Sequence, residues 1–140
     1  MISYFDTSAV IPLLIAEPGS ALAGQLWDKA DRVASARLIY PEARAALAQA
    51  RRLERLTARQ LGASVRELDE LYEQMDIVEL DADLAHQSGE LAEAHNLRGY
   101  DAVHLAAAHR IADDELIVVA GDQSLLAAAA ITGLLTASVD

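Results

Sequence analysis

The chain has 140 residues, 53% hydrophobic and 24% charged, which is the size and composition of one globular domain. It contains no cysteine, so disulfides and thiolate metal sites are excluded, and a reducing cytoplasmic location is expected. The net charge of −11 argues against broad, non-specific binding of nucleic acid, which needs a basic surface.

Strand and helix patterns alternate along the chain. A strand predicted at residues 1–5 is followed by helices at 8–16 and 20–31, a strand at 32–36, helices at 41–55 and 57–75, and a strand at 76–80. Helices at 82–96 and 101–112, a strand at 116–120, a helix at 124–130 and a strand at 134–137 complete the order. Ser20 and Thr57 are the predicted N-caps of their helices. The alternation predicts one α/β domain over residues 1–140, a sandwich with a mostly parallel central sheet.

The opening segment does not resemble a targeting or membrane segment. It has no basic residue, carries Asp6 early, and its apolar run is broken by Pro12. Neither a signal peptide nor a membrane span is therefore expected.

Positive charge is concentrated in one part of the chain. Residues 37–66 hold seven arginines and two acidic residues, a net charge of +5, whereas residues 67–122 hold fifteen acidic residues and two arginines, a net charge of −13. Solvated helix faces would account for both blocks. The asymmetry also predicts a local basic surface on an acidic protein.

Four acidic residues occur where predicted elements meet. Asp6 directly follows the first strand, and Asp122 follows the strand at 116–120. Glu42 and Asp101 each lie in the first turn of a helix. Because sites in parallel α/β folds form outside the carboxyl ends of the strands, these side chains are expected to meet at one edge of the sheet. Each also has a local interpretation, as a turn residue, a helix-dipole partner or an N-cap.

The stretch GYDAVHLAAAHRIA contains the third of these acids. The helix after Asp101 is apolar on almost every side, so it is expected to be buried, and Asp101 itself is expected to cap it. His104 lies one turn later and could reach a metal. Because Mg²⁺ rarely takes imidazole, a packed or hydrogen-bonded histidine is the favoured interpretation.

Four clustered carboxylates need a source of positive charge. Two carboxylates about 4 Å apart repel by roughly 4 kcal/mol at an effective dielectric constant near 20, a large fraction of a domain stability of about 5–15 kcal/mol. Protons or a metal are expected to relieve this repulsion. An all-oxygen acidic site suits Mg²⁺ or Mn²⁺ rather than Zn²⁺, and such sites typically act on phosphate esters.

Four stretches together carry a family resemblance. They are YFDTSAVIPLLIAEPGS, YPEARAAL, LRGYDAVHLAAA and LIVVAGDQSLLAAAAITGL. In order and spacing they resemble the PIN-domain ribonucleases and, among them, the VapC toxins of bacterial type II toxin–antitoxin pairs. The resemblance covers essentially the whole chain.

The resemblance implies a fold, an activity and partners. It implies a three-layer α/β/α, flavodoxin-like sandwich, a homodimer, and an antitoxin whose tail covers the site. It also implies Mg²⁺-dependent cleavage of RNA, for which Mn²⁺ can substitute. The implied catalytic residues are Asp6, Glu42, Asp101 and Asp122, of which Asp6, Asp101 and Asp122 would bind the metal.

Four further residues bear on the function expected of the four acids. Thr7 and Ser8 match a hydroxyl pair of the family, and one of them is expected to hold a metal-bound water. Arg44 is expected either to contact phosphate or an antitoxin carboxylate, or to be an exposed helix arginine. Many relatives carry Thr where this chain has Ala120, which brings into question a supporting hydroxyl and the ligand role of Asp122.

Three alternatives stay open. An aspartyl-phosphate phosphatase needs a second Asp two residues after the first, where this chain has Ser8. A receiver domain needs a lysine late in the chain, but the only lysine is Lys29. A PIN-like binding module with lost or weak activity is the non-enzymatic alternative; the four acids argue against it, and Ala120 keeps it open.

Overall fold

The computed structural model describes all 140 residues and contains a five-stranded sheet. Its strands are Ile2–Phe5 (β1), Arg32–Ala36 (β2), Asp76–Val78 (β3), Ile117–Ala120 (β4) and Leu135–Ser138 (β5). They lie in the order β3-β2-β1-β4-β5, and every neighbouring pair is parallel. The expectation of a mostly parallel sheet is confirmed, and the sheet is parallel throughout.

Seven helices accompany the strands. They are Thr7–Leu14 (α1), Ser20–Lys29 (α2), Ile39–Arg52 (α3), Ala58–Gln74 (α4), Ala82–His95 (α5), Gly99–Ile111 (α6) and Gln123–Ile131 (α7). All predicted elements are present, with ends shifted by a few residues. None of these helices combines the length and the apolar character needed to cross a membrane.

The helices form layers on both faces of the sheet, which confirms the three-layer sandwich. Successive side chains of a strand point to opposite faces, so Tyr4 and Phe5 enter different cores. Phe5 packs with residues of α1 to α4, and Tyr4 packs with residues of α5, α6 and α7. Residues 101–108 of α6 are all buried, as expected for a helix that is apolar on almost every side.

The sheet order creates a crevice between β1 and β4. From β1 the chain moves to β2 and β3 on one side of the sheet, and then returns to β4 on the other side. Connections therefore leave these two neighbouring strands in opposite directions, and such a switch point is where ligands bind in open α/β sheets.

Of the three predicted N-caps, one is confirmed and two are wrong. Thr57 caps α4 as predicted, in a capping box with Gln60. Ser20, in contrast, is the first residue of α2 rather than its N-cap, and its hydroxyl accepts a hydrogen bond from the Glu17 N–H at 2.8 Å. The preceding Gly19 is the N-cap, and the close approach of the Val139 carbonyl, 2.2 Å from where a β-carbon would lie, leaves no room for a side chain there.

The second correction concerns Asp101. The prediction that Asp101 caps its helix is wrong, because α6 begins two residues earlier, at Gly99. Arg98 occupies the cap position without a side-chain cap bond. The chain reverses sharply just before this, where Asn96 ends α5 in the left-handed conformation at φ 53°. Asp101 thus lies inside the first turn, and its carboxylate is available to other partners.

Candidate active site

A cleft of about 530 Å³ opens at the carboxyl ends of β1 and β4. All four sequence-predicted acids line it, together with Thr7, Ser8, Arg98 and His104. The expectation that these acids share one edge of the sheet therefore agrees with the structure. They come from four different segments of the chain, which the parallel sheet brings together.

Asp6 lies deepest, directly after β1, where it is 3% exposed. Its carboxylate caps α1 by accepting the Ala9 N–H at 3.0 Å. The Ser8 hydroxyl donates to the same carboxylate, with its oxygen 2.7 and 2.8 Å from the two carboxylate oxygens. Burial raises the pKa of Asp6 to about 6, although nearby His104 and the bonds from Ser8 and Ala9 oppose this increase.

Ser8 also connects the ends of β1 and β4. Its oxygen accepts hydrogen bonds from the backbone N–H groups of Gly121 and Asp122, at 2.7 and 3.2 Å. A single hydroxyl thus donates to Asp6 and accepts from the backbone that leads into the fourth acid. Ser8 holds the two strand ends in register at the floor of the cleft.

Glu42 enters the cleft from the first turn of α3. The Thr7 hydroxyl donates to its Oε1 at 2.8 Å. The Nε2 atom of His104 lies 2.8 Å from the same oxygen. His104 is 1% exposed, so the expectation of a packed and hydrogen-bonded histidine agrees with the structure.

Asp101 and Asp122 share a guanidinium partner that the sequence interpretation missed. Arg98 donates from Nε to Asp101 at 2.9 Å and from Nη2 to Asp122 at 3.1 Å. Asp122 also caps α7 by accepting the Leu125 N–H at 2.9 Å. The signal available in the sequence was the spacing of Arg98 and Asp101, three residues apart, which places two side chains on one face of a helix turn.

The four acids line one cleft but do not form a compact metal cluster. No group of three or more His, Asp or Glu side chains is placed to hold one metal ion together. Each carboxylate instead has donors of its own, from Ser8, Thr7, His104 or Arg98 and from helix N–H groups. The expectation that protons or a metal relieve the repulsion is therefore incomplete, since these donors also stabilise the ionised carboxylates.

Arg44 and Ala120 lie outside the cleft lining. Arg44 donates to the Tyr40 hydroxyl at 2.9 Å, and its guanidinium lies over the Tyr40 ring. It is thus an exposed helix arginine in this structure, one of its two predicted interpretations. Ala120 is fully buried in the core under α6 and α7, and the Ser8 hydroxyl supplies the hydrogen bonds to the residues that follow it.

Of the arginines of residues 37–66, Arg37 lies in the turn before α3, and the other six lie on α3, on α4 and in the segment between these helices. All seven are exposed. Arg37 pairs with Glu79, and Arg55 donates to Glu17 at 3.2 Å. Glu17 belongs to the lining of the cleft, so Arg55 connects this basic segment to the cleft rim.

The amino-acid sequence is similar to that of a known domain family and of a known ribonuclease. The sequence profile of the PIN domain matches residues 3–131. Ribonuclease VapC45 of Mycobacterium tuberculosis is 47% identical over 122 residues, which cover 87% of this chain and 85% of the relative. The similarity in sequence thus extends over most of both proteins, and the match to the PIN-domain profile spans the positions of all four acids of the cleft.

Solved structures with a similar fold include two toxin proteins. The VapC20 toxin of Mycobacterium tuberculosis, described as cleaving the sarcin–ricin loop, has a TM-score of 0.70 at 19% identity, covering 95% of this chain and 96% of that one. A toxin–antitoxin complex from Klebsiella pneumoniae has a TM-score of 0.68 at 18% identity, covering 99% and 98%. At these identities the likeness establishes the shared fold.

Proposed function

The chain belongs to the PIN-domain family, and we propose that it is a Mg²⁺-dependent endoribonuclease acting as the toxin of a type II toxin–antitoxin pair. The observation that carries the proposal is the placement of Asp6, Glu42, Asp101 and Asp122 in one cleft at the switch point of the sheet. The 47% identity to a VapC ribonuclease supports the substrate class.

The chemistry of the donors in the cleft suits a hard divalent cation, although the carboxylates are not gathered around one point in this structure. The donors are carboxylate and hydroxyl oxygens, which Mg²⁺ and Mn²⁺ prefer. We assign the cation to Asp6, Asp101 and Asp122, and binding requires Arg98 to release two of these carboxylates. When bound, such an ion neutralises charge on a scissile phosphate and lowers the pKa of a water molecule.

The chain's own residues supply the remaining chemistry. Glu42 lies at the cleft surface with its side chain 22% exposed, where it can accept a proton from an attacking water. Ser8 and Thr7 orient Asp6 and Glu42 through their hydroxyl groups. Arg98 is 74% exposed, so after release it can reach a phosphate of the substrate without leaving the cleft rim.

The proposed partners follow from the same surfaces. Solved relatives include a toxin–antitoxin complex, and this supports an antitoxin protein as the partner that covers the cleft. An arginine-rich surface on α3 and α4 suits an acidic segment of that partner or the phosphates of RNA. A homodimer is part of the proposal, and sedimentation of the purified chain measures it directly.

The proposal is tested with purified protein and single-stranded RNA. We expect cleavage in Mg²⁺ or Mn²⁺, none in EDTA, and loss of cleavage in Asp6→Asn, Glu42→Gln, Asp101→Asn and Asp122→Asn. Asp83→Asn is the matched control, because Asp83 is an exposed acid in the first turn of α5. Binding of RNA without cleavage by the wild-type chain would instead identify a non-catalytic PIN-like binding module.

A further inference from the structure

A buried chain of hydrogen bonds runs from the centre of the sheet to Glu42. The Tyr4 hydroxyl lies 2.7 Å from Nδ1 of His104, and Nε2 of His104 lies 2.8 Å from Oε1 of Glu42. Tyr4 and His104 are 0% and 1% exposed, and their rings meet edge to face at 5.7 Å. The chain of bonds crosses from β1 through α6 to α3.

The donors and acceptors around His104 determine which of its ring nitrogens carries the hydrogen. Burial raises the pKa of Tyr4 well above its usual range, so its hydroxyl is a neutral phenol. An ionised Glu42 has no hydrogen to donate. Nε2 of His104 must therefore carry a hydrogen and donate it, because two lone pairs would otherwise face each other at 2.8 Å. In the neutral ring Nδ1 is then an acceptor, and the Tyr4 hydroxyl donates to it.

Glu42 is anchored through only one of its oxygens. Thr7 donates to the same Oε1 that faces His104, at 2.8 Å. The other oxygen, Oε2, has no hydrogen bond within the protein. The side chain is therefore held by two donors at Oε1. Oε2 stays free to accept a proton of water or substrate, in a residue that lines the cleft.

We propose that Tyr4 and His104 are positioning residues, which hold one tautomer of the histidine so that its Nε2–H orients Glu42 for catalysis. The catalytic part of this inference rests on the proposed ribonuclease function; the tautomer and the hydrogen bond do not. Removing the orienting hydrogen-bond partners of metal ligands costs about 10- to 100-fold in activity, and we expect an effect of the same order for a partner that orients a catalytic carboxylate. Tyr4 acts at a distance through the ring, and it touches neither substrate nor solvent.

The first test reads the tautomer directly, in the absence of RNA and metal. Nitrogen-15 NMR of the histidine side chains is expected to show the His104 proton on Nε2 in the wild type. Tyr4→Phe removes the donor to Nδ1 but leaves Glu42 opposite Nε2, so the proton is expected to stay on Nε2 while the Nδ1 resonance, which loses its hydrogen-bond donor, shifts. A wild-type proton on Nδ1, or an Nδ1 resonance unchanged in Tyr4→Phe, overturns the proposal. Neither result depends on the protein being a nuclease.

The second test uses a matched pair of substitutions at His104. The amide nitrogen of Gln reaches the place of Nε2, whereas Asn is shorter and places its amide near Nδ1. We expect His104→Gln to retain cleavage within a few-fold and His104→Asn to lose about 10- to 100-fold in kcat with little change in KM. Equal losses in both variants, or a change confined to KM, would overturn the positioning role.

A third histidine variant controls for stability. His109 lies on the same helix and bonds Thr132 at 2.8 Å, away from the cleft. His109→Asn therefore removes a partly buried hydrogen bond of a histidine on the same helix, and its kcat is expected to equal that of the wild type. A loss of kcat in His109→Asn that matches the loss in His104→Asn would show that destabilisation of α6 explains both.

Discussion

The Nε atom of Arg98 donates a hydrogen bond to the carboxylate of Asp101 across 2.9 Å. The positively charged guanidinium therefore lies beside an acid that we assign to metal binding. The same guanidinium reaches Asp122 at 3.1 Å. The side chain of Arg98 is largely exposed while that of Asp101 is buried. A metal ion bound as we propose would therefore compete with Arg98 for the same two carboxylates.

Replacement of Arg98 is expected to strengthen metal binding. Arg98→Gln removes the positive charge and frees Asp101 and Asp122, so Mg²⁺ and Mn²⁺ should bind several-fold more tightly in the absence of RNA. Calorimetric titration measures this affinity. Arg110→Gln is the matched control, since Arg110 pairs with Asp81 outside the cleft. Equal metal affinities in wild type and Arg98→Gln would contradict this competition.

Asp101→Asn is expected to preserve the fold and abolish cleavage. Asp101 does not cap α6, and an Asn oxygen can still accept the hydrogen bond from Arg98. The charge that would bind a metal is nevertheless lost. Circular dichroism and thermal melting check the fold, and an RNA cleavage assay checks the activity. Cleavage at the wild-type rate would limit Asp101 to its ion pair with Arg98.

The cleavage products are expected to carry 5′-phosphate and 3′-hydroxyl ends. His104 is the only histidine in the cleft lining, and both of its ring nitrogens face protein partners. No second histidine is present there to activate the ribose 2′-hydroxyl. A substrate with a 2′-deoxy sugar at the cut should therefore still be cleaved. Mass spectrometry identifies the chemical ends of the RNA products, and 2′,3′-cyclic phosphate ends would refute direct hydrolysis.

The positions of Asp6 and Asp122 could be predicted because they depend on local patterns. A residue that directly follows a parallel strand emerges at the carboxyl edge of the sheet, whatever the details of the loops. The strands themselves are readable as short apolar runs, so the edge on which these acids lie follows from the order of elements. Thr57 could be predicted in the same way, because its capping box is a local sequence pattern.

The partners of these acids could not be predicted because they depend on tertiary geometry. Arg98 reaches Asp122 only because α6 begins at Gly99, earlier than its apolar pattern suggests. The bond between Tyr4 and His104 requires Tyr4 to face α6, which the sheet and its helix layers decide. For the same reason the sequence reveals the repulsion among the four acids but not the donors that offset it, which come from distant parts of the chain.

Charge reversal on α3 and the segment after it is expected to weaken binding of RNA, antitoxin or both. Arg51 and Arg55 are exposed, and Arg55 lies at the rim of the cleft beside Glu17. Arg51→Glu with Arg55→Glu removes positive charge that would displace counterions from a phosphate backbone, so the salt dependence of RNA binding should flatten. Titrations at several salt concentrations measure this effect. Unchanged affinities and salt slopes would mean that these arginines are only solvated.

The last prediction concerns pH and Asp6 in the metal-free protein. Its pKa is about 6 in the folded state, raised mainly by burial from a usual value of 3.8. Between about pH 4 and pH 6 the folded state therefore holds a proton that the unfolded state has released. The free energy of unfolding should fall as pH rises through this window, by about 3 kcal/mol for a shift of this size, and level off above it.

Asp6→Asn isolates this contribution, because its amide oxygen can still accept the Ala9 N–H and the Ser8 hydroxyl while carrying no titratable proton. Denaturant unfolding in EDTA, at several pH values from 4 to 8, gives the two stability curves. Other carboxylates act in both proteins and cancel in the difference; Asp81, for example, has its pKa lowered to about 2 by Arg110, so its effect lies at more acidic pH. We expect Asp6→Asn to gain stability relative to wild type as pH rises from 4 to 6. Parallel curves would mean that Asp6 titrates alike in the folded and unfolded states, and that its burial carries no electrostatic cost.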